Sequence, residues 1–362
     1  MKRITNVDNL FFLVSGENPT LPFSEIKSIL NAEGFRFQVL EGSTQLLRCR
    51  ADLRCVQAIK RRSAMVRVCG VELYNCKADS DIILNYAKQV DPAPFIDKGA
   101  SFVVRIKRVK GSSRQINRPY LESKIGEFIL EKMPEARVDL KAPQKIFFGV
   151  LTDDRFIFGL KLAEIKPKSF IDRGPPKKAF SHATTMPAKL ARCMVNLAQP
   201  KIGDLLLDPF CGTGSFLVEA GLIGCRIIGF DVKRSMVKGS LKNLNLYSVS
   251  FEGLFVSDAR FVPLSDTSVD CIVTDPPYGT AATTLGLGTR DILEHFFSSA
   301  RKILKKCGRI CLAAPKTLNV KEIAEKLGFK HVESHFIYVH RRLTREIAVF
   351  QKDEKESSSR HE

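Results

Sequence analysis

The chain has 362 residues, with 57 Lys and Arg against 39 Asp and Glu, a formal net charge of +18, and 44% hydrophobic and 27% charged residues. That length and balance exclude a disulfide-stapled miniprotein, a single small binding module and a disordered, collagenous or coiled-coil chain. The basic excess favours a polyanionic partner, nucleic acid or an anionic membrane surface, and residues 1–180 hold +12 of it.

In chain order, residues 9–14 read as a strand, 23–32 as a helix with Ile26, Ile29 and Leu30 at helical spacing, and 45–49 and 64–71 as further strands. This predicts a small α+β unit over residues 1–70. A second α+β unit is expected over 71–164: strand 102–106, a helix with Leu121, Ile125, Phe128 and Ile129 on one face, then strands 137–140, 145–152 and 156–160. Residues 165–179 contain three prolines and five lysines or arginines, the composition of a stiff, exposed linker. The rhythm then changes to strand 205–207, helix 215–223, strand 226–230, helix 233–246, strands 251–256 and 269–274, helix 291–304, strand 309–314 and helix 320–327. Strand alternating with helix predicts an α/β domain over 180–351, a doubly wound and largely parallel sheet. Strands 335–340 and 346–351, joined by a turn at 341–345, close it as an antiparallel hairpin, and 352–362 reads as a disordered tail.

Ten cysteines lie scattered in apolar runs and form no C-x-x-C pair, as free buried thiols of a reducing compartment do. Cys307, Cys311, His331 and His335 imitate a zinc finger. Residues 309–313, which include Cys311, read as a strand, however, where residues four apart lie roughly 13 Å from each other, so no metal is expected. No apolar run approaches the roughly 20 residues of a membrane span, and a soluble cytoplasmic protein is the expectation.

Chemistry concentrates at successive strand ends of the second half. Asp208 closes the first strand, and Gly212, Thr213 and Gly214 form a turn into the following helix where the backbone can approach a ligand closely. Asp231, about 20 residues on, stands where a carboxylate can grip both hydroxyls of a ribose. These features fit a nucleoside cofactor in general. Leu217 in place of the third glycine of the dinucleotide fingerprint tilts the reading away from NAD. Asp258 and Ala259, after the third strand, are placed to read an adenine. Asp275, Pro276, Pro277, Tyr278 and Gly279 follow the fourth strand. An exocyclic amino nitrogen is a poor nucleophile while its lone pair is delocalised into the base, so acceptors for its hydrogens favour the reactive pyramidal form. Asp275 and the Pro276 carbonyl can be those acceptors, and Tyr278 offers a ring for an extruded base, with residues 280–288 able to close over it.

Residues 208–214, Asp231, Asp258 and 275–279 resemble the ordered motifs of class I S-adenosylmethionine-dependent methyltransferases acting on amino nitrogens. That resemblance implies a seven-stranded sheet with an antiparallel last strand, and S-adenosyl-L-methionine as cofactor. Residues 180–192 resemble the stretch before the cofactor turn in the RNA guanine-N2 branch, where it helps hold the methionine moiety. A helix capped by Thr184 or Thr185 with Lys189 and Arg192 in solvent fits equally, and His182 is expected to orient the segment rather than to catalyse.

In the first half, residues 101–112, 121–129 and 137–140 resemble the THUMP domain of RNA-modifying enzymes, and the unit before it matches the ferredoxin-like region fused to that domain. Arg105, Lys107, Arg108, Lys110, Arg114 and Arg118, with no acidic residue among them, fit a phosphate-gripping face or a solvated surface. Together the features resemble the archaeal-type tRNA guanosine-10 N2-methyltransferases. The resemblance implies methyl transfer to guanine N2 of tRNA, to the mono- and dimethyl stage, by a monomer with no obligate protein partner and no membrane. The alternatives are another tRNA position such as 6, rRNA, a DNA amino-methyltransferase and a non-catalytic tRNA-binding protein. A THUMP-bearing thiouridine synthase would need a pyrophosphatase loop and a sulfur-relay cysteine, neither of which is recognisable.

Overall fold

The computed structural model describes residues 7–278, 288–341 and 343–353. The expected closing loop lies outside the described residues except for Gly288, as does the expected tail beyond Asp353. The described chain forms two compact units. One runs to Lys166 without residues 24–33 and 61–64, and the other combines those two segments with the chain from Pro167.

The first unit contains β1 (Val7–Val14), the start of α1 (Leu21–Ala32), β2 (Phe37–Ser43), β3 (Leu46–Asp52), α2 (Cys55–Arg62), β4 (Val66–Lys77), α3 (Ser80–Gln89), β5 (Ser101–Arg108), α4 (Arg118–Lys132), β6 (Arg137–Val138), β7 (Lys145–Thr152) and β8 (Arg155–Glu164). Its strands make one eight-stranded sheet in the order β2-β3-β1-β4-β8-β7-β5-β6. The pairs β5 with β6 and β5 with β7 are parallel and the others antiparallel. β1 is buried continuously from Leu10 to Val14, which a central strand requires, and packs Phe11 and Leu13 against Val68, Val150 and Ile157. Asp153 and Asp154 both have positive φ, 45° and 58°, and form the two-residue turn between β7 and β8 that suits strand twist. α4 begins where the Asn117 side chain accepts from Tyr120 N at 3.2 Å, with Pro119 in the first turn.

The expected boundary at residue 70 falls inside β4, whose Val71 pairs with Leu10 of β1 and Leu160 of β8. The ferredoxin-like and THUMP-like expectations therefore share a continuous sheet. β2, α2 and α3 had no counterpart in the sequence reading. β2 is exposed or half-exposed throughout, so it lacks the apolar alternation by which a strand is recognised.

The second unit contains α5 (Lys168–Ile171), α6 (Ala188–Leu197), β9 (Leu205–Asp208), α7 (Ser215–Gly221), β10 (Arg226–Asp231), α8 (Arg234–Leu246), β11 (Gly253–Val256), β12 (Val269–Thr274), α9 (Thr289–Ile303), β13 (Leu304–Pro315), α10 (Val320–Lys326), β14 (Phe329–His340) and β15 (Leu343–Lys352). Its seven-stranded sheet has the order β11-β10-β9-β12-β13-β15-β14. β9 to β13 are parallel, and β15 runs antiparallel to both β13 and β14. Leu207, Phe230, Ile272, Phe296, Phe297, Leu312 and Phe350 lie in one buried cluster with the residues of α9 and α10. The strand order reverses between β9 and β12, so a crevice opens beyond their carboxyl ends. The closing hairpin is longer than expected: β15 already begins at Leu343, and Arg345 is a paired strand residue rather than part of the turn.

Three further expectations change. Residues 24–33 and 61–64, read as part of the N-terminal unit, join the second one through buried polar contacts. Glu25 accepts from Asn196 Nδ2 at 2.9 Å and Ser63 Oγ at 2.7 Å, while Arg62 donates to Asn196 Oδ1 at 3.2 Å and Pro200 O at 3.0 Å. Of the linker expected at 165–179, the part from Pro167 belongs to the second unit and is anchored there. Phe170 is buried, and Arg173 donates to Glu219 Oε1 at 2.7 Å and Oε2 at 3.0 Å. Arg192, read as a possible solvated residue, is buried and completes the group with Nη2 2.8 Å from Glu219 Oε2. A fully buried carboxylate needs such cations, and Glu219 gathers them.

Candidate active site

A cleft of about 900 Å³ lies at the carboxyl edge of the parallel strands. Gly212, Thr213, Asp231, Asp275, Pro276 and Tyr278, all singled out from the sequence, line it. Its walls also include His182, Met186, Ser215, Met236 and Arg345.

The glycine turn makes one wall. Gly212 and Gly214 have φ of 50° and 76°, in the left-handed region, and a Cβ on Gly214 would stand 2.3 Å from Ser240 Oγ. Asp231 braces this turn: Oδ2 accepts from Gly212 N at 3.0 Å, and Oδ1 from Lys233 N at 2.9 Å. Burial raises its pKa, while those two backbone bonds pull the other way. Asn243, on α8, donates to Thr213 O at 2.8 Å and tethers Phe180 through its carbonyl at 2.8 Å.

The segment 182–186 folds over the same wall. Thr185 Oγ1 accepts from His182 N at 2.8 Å, and the His182 ring lies 2.9 Å from Thr184 Oγ1. The two threonines thus organise the loop instead of capping α6, which starts after Pro187 with no side-chain cap. Ser215 Oγ donates to Met186 O at 3.0 Å and lies 2.5 Å from Lys178 Nζ, whose pKa burial lowers to about 8.

The opposing wall is the end of β12. Asp275 is largely buried, with 17% of its side chain accessible, and its Oδ1 has no hydrogen-bond partner among the described residues. Burial pushes its pKa up to about 6, against the Arg345 guanidinium and then the Tyr278 hydroxyl, which favour the ionised form. Arg345 Nε donates to the Tyr278 hydroxyl at 2.9 Å, and Nη2 lies 3.8 Å from Asp275 Oδ2. A guanidinium only donates, so the tyrosine's own hydrogen stays available for the carboxylate. Arg345 thus holds the Tyr278 hydroxyl and faces Asp275 Oδ2, while Asp275 Oδ1 is buried with no hydrogen-bond partner among the described residues. The sequence reading missed Arg345; the available signal was a charged residue at the start of a strand otherwise apolar from Ile347 to Phe350.

Asp208, Gly214, Asp258 and Ala259 are not among the cleft-lining residues. Asp208 is fully buried beneath the cleft, where Oδ1 accepts from Thr274 Oγ1 at 2.8 Å and Phe210 N at 3.2 Å, tying β9 to β12. Burial raises its pKa to about 8, so it is held protonated at neutral pH. Asp258 is engaged by Arg260, whose Nη2 and Nε reach Oδ2 at 2.6 and 2.9 Å, and this pairing holds its carboxyl below the usual range. Ala259 is buried.

In the first unit, Lys107, Lys110, Arg114 and Arg118 are exposed and Arg105 is half-buried, donating to Leu140 O at 3.0 Å. Arg108 turns instead onto the chain, donating to Ser113 O at 2.9 Å and Ile116 O at 2.6 Å. It fastens the loop that carries Lys110 and Arg114 rather than presenting its own charge.

Residues 175–345 match a family described as RMKL-like, methyltransferase domain, and residues 80–242 one described as DNA methylase. The tRNA (guanine(10)-N2)-dimethyltransferase of Methanothermobacter thermautotrophicus is 37% identical over 343 residues, covering 95% of this chain and 99% of that one. The enzyme of the same name from Methanocaldococcus jannaschii is 30% identical over 367 residues, covering 94% and 99%. The crystal structure of TrmN from Thermus thermophilus shares the fold, with a TM-score of 0.51 at 18% identity over 95% of this chain and 99% of that one. By its near-full-length likeness to those archaeal enzymes, the chain belongs to the tRNA (guanine(10)-N2)-dimethyltransferase family.

Proposed function

We propose that this chain transfers methyl groups from S-adenosyl-L-methionine to the exocyclic N2 of guanosine 10 in tRNA, giving N2-methyl- and then N2,N2-dimethylguanosine. The observation that carries the reading is one cleft with the glycine turn on one wall and Asp275, Pro276 and Tyr278 on the other, in a chain that matches enzymes of that name almost end to end.

The residues present fit the cofactor. Two left-handed glycines keep side chains out of the turn, and Asp231 stands at the end of β10 with each oxygen already aligned by a backbone N–H. Gly212, Thr213 and Asp231 would hold the nucleoside end, and the 182–186 segment the amino-acid end. When bound, S-adenosylmethionine supplies an electrophilic methyl group on a sulfonium.

Asp275 and the Pro276 carbonyl accept the hydrogens of guanine N2, which withdraws the nitrogen lone pair from the ring. Tyr278 supplies the surface on which the extruded base stacks, and Arg345 fixes that ring and keeps Asp275 ionised. Once N2 carries a new carbon it is cationic and strongly acidic, so its proton passes readily to Asp275 or to water. Positioning therefore supplies most of the rate. In the first unit, which we read as ferredoxin-like and THUMP elements on one sheet, Lys107, Lys110, Arg114 and Arg118 contact tRNA phosphates.

The test is methyl incorporation from labelled cofactor into unmodified tRNA, rRNA fragments and duplex DNA by the purified chain alone. Incorporation into tRNA is expected; incorporation into DNA only would overturn the proposal.

A further inference from the structure

Next to the cleft, the last hairpin carries aromatic and basic side chains that the chemistry above does not use. Among the described residues β14 is an edge strand with a single neighbour, β15. Its pairing is regular from His335 to Tyr338, so Phe336 and Tyr338, two residues apart, emerge on the same face. They are 47% and 73% exposed. Lys316 Nζ lies 5.2 Å from the Phe336 ring centroid, and Arg341, directly after the strand, is exposed. The strip ends at the rim of the cleft, on the hairpin face opposite Arg345, whose cross-strand partner is Ile337. Pro315 and Thr317, which flank Lys316, line the cleft, and so do Val339 and His340, which follow Tyr338.

We propose that this strip receives the RNA strand flanking the target guanosine, with neighbouring bases stacking on Tyr338 and Phe336 and a phosphate held by Lys316 and Arg341. The inference rests on the methyltransferase reading, because an extruded guanosine leaves adjacent bases with an uncovered face at the cleft mouth. Two rings on alternate positions of one strand stand roughly 7 Å apart, a spacing that suits a strand whose bases have been splayed out of a helix. Cations beside exposed rings match a polyanion with π faces better than they match an apolar protein surface. The outer rim of the site would thus read the RNA backbone and stacking, while the cleft reads the guanine.

The test uses the full-length chain with an unmodified tRNA transcript, measuring tRNA affinity, KM for tRNA, KM for S-adenosylmethionine and kcat. The double variant Phe336→Ala with Tyr338→Ala is expected to weaken tRNA binding and raise its KM at least about 30-fold, the lower end of the stacking energies of two bases. kcat and the cofactor KM are expected to stay within about twofold, and Tyr338→Phe, which keeps the ring, to behave as the unaltered chain does. Lys316→Ala should lower the slope of log affinity against log salt by nearly one. Unchanged tRNA affinity in the double variant, with cofactor affinity intact, would overturn the strip while leaving the activity standing. A chain that binds tRNA through these residues yet methylates no guanosine would support the strip and overturn the activity.

Discussion

Replacing Arg345 by Met removes a cation from the largely buried Asp275 while keeping an apolar stem. In the folded chain the Asp275 pKa is about 6, raised by burial and restrained by Arg345 and Tyr278. With Nη2 and Oδ2 3.8 Å apart, Coulomb's law at an effective dielectric of about 20 gives about 4 kcal/mol, equivalent to about three pH units. Water reaches part of both side chains, 18% and 17% accessible, so about one to two units is the expected shift. Losing the cation disfavours the carboxylate, so the pKa moves upward. Activity that depends on ionised Asp275 then falls off at higher pH: the acid limb of kcat, near pH 6 in the unaltered chain, moves to about 7 to 8. Arg345→Lys, which keeps the charge but not the planar fork, should restore most of the limb without full activity. The assay is methyl transfer to tRNA at saturating cofactor between pH 5 and 9, with affinity for S-adenosylhomocysteine as a control for folding. An unshifted acid limb in folded Arg345→Met would refute the reasoning, since the cation that opposes the burial of Asp275 would have gone without effect.

Other perturbations probe the scaffold. Glu219→Gln leaves the buried Arg192 and the partly buried Arg173 without their carboxylate, and a loss of about 3 to 5 kcal/mol is expected in denaturant unfolding, together with earlier proteolysis near residues 167–178. Gly214→Ala forces a Cβ onto a residue with φ of 76° and to within 2.3 Å of Ser240 Oγ; cofactor affinity should fall at least tenfold and the melting temperature by several degrees. For Asp208 the folded pKa of about 8 lies above the unfolded value, so the folded state binds the extra proton. The stability this group contributes is complete below about pH 4 and is lost as pH rises through about 8. Asp208→Asn keeps an acceptor for Thr274 and Phe210 and cannot ionise, so its melting temperature relative to the unaltered chain should rise progressively from pH 5 to pH 9.

The parallel half was legible because its strands are short apolar runs ending in residues with few alternative uses: glycines at a turn, then carboxylates at successive strand ends. Local spacing sufficed to gather Gly212, Asp231 and Asp275 on one edge. Residues whose role depends on a distant partner could not be read that way. Arg345 is 67 positions from Tyr278, and only the antiparallel insertion of β15 beside β13 brings them together. Arg173 and Arg192 looked solvated because basic residues usually are, and the buried Glu219 that holds them sits in an otherwise ordinary helix. Arg108 and Asp258 show the converse. Each has the right residue type for a ligand contact, yet local geometry gives each an intramolecular partner first. Composition marked residues 165–179 as a linker, but composition carries no information about a carboxylate waiting on α7.

The activity is defined by which atom of which nucleotide is methylated. Unmodified tRNA transcript incubated with the purified chain and S-adenosylmethionine, then digested and mapped by mass spectrometry, answers it directly. The expected result is N2-methylguanosine at position 10, converting to N2,N2-dimethylguanosine with time, and none of either with Asp275→Ala. Methylation confined to another position, or to an atom other than guanine N2, would contradict the account.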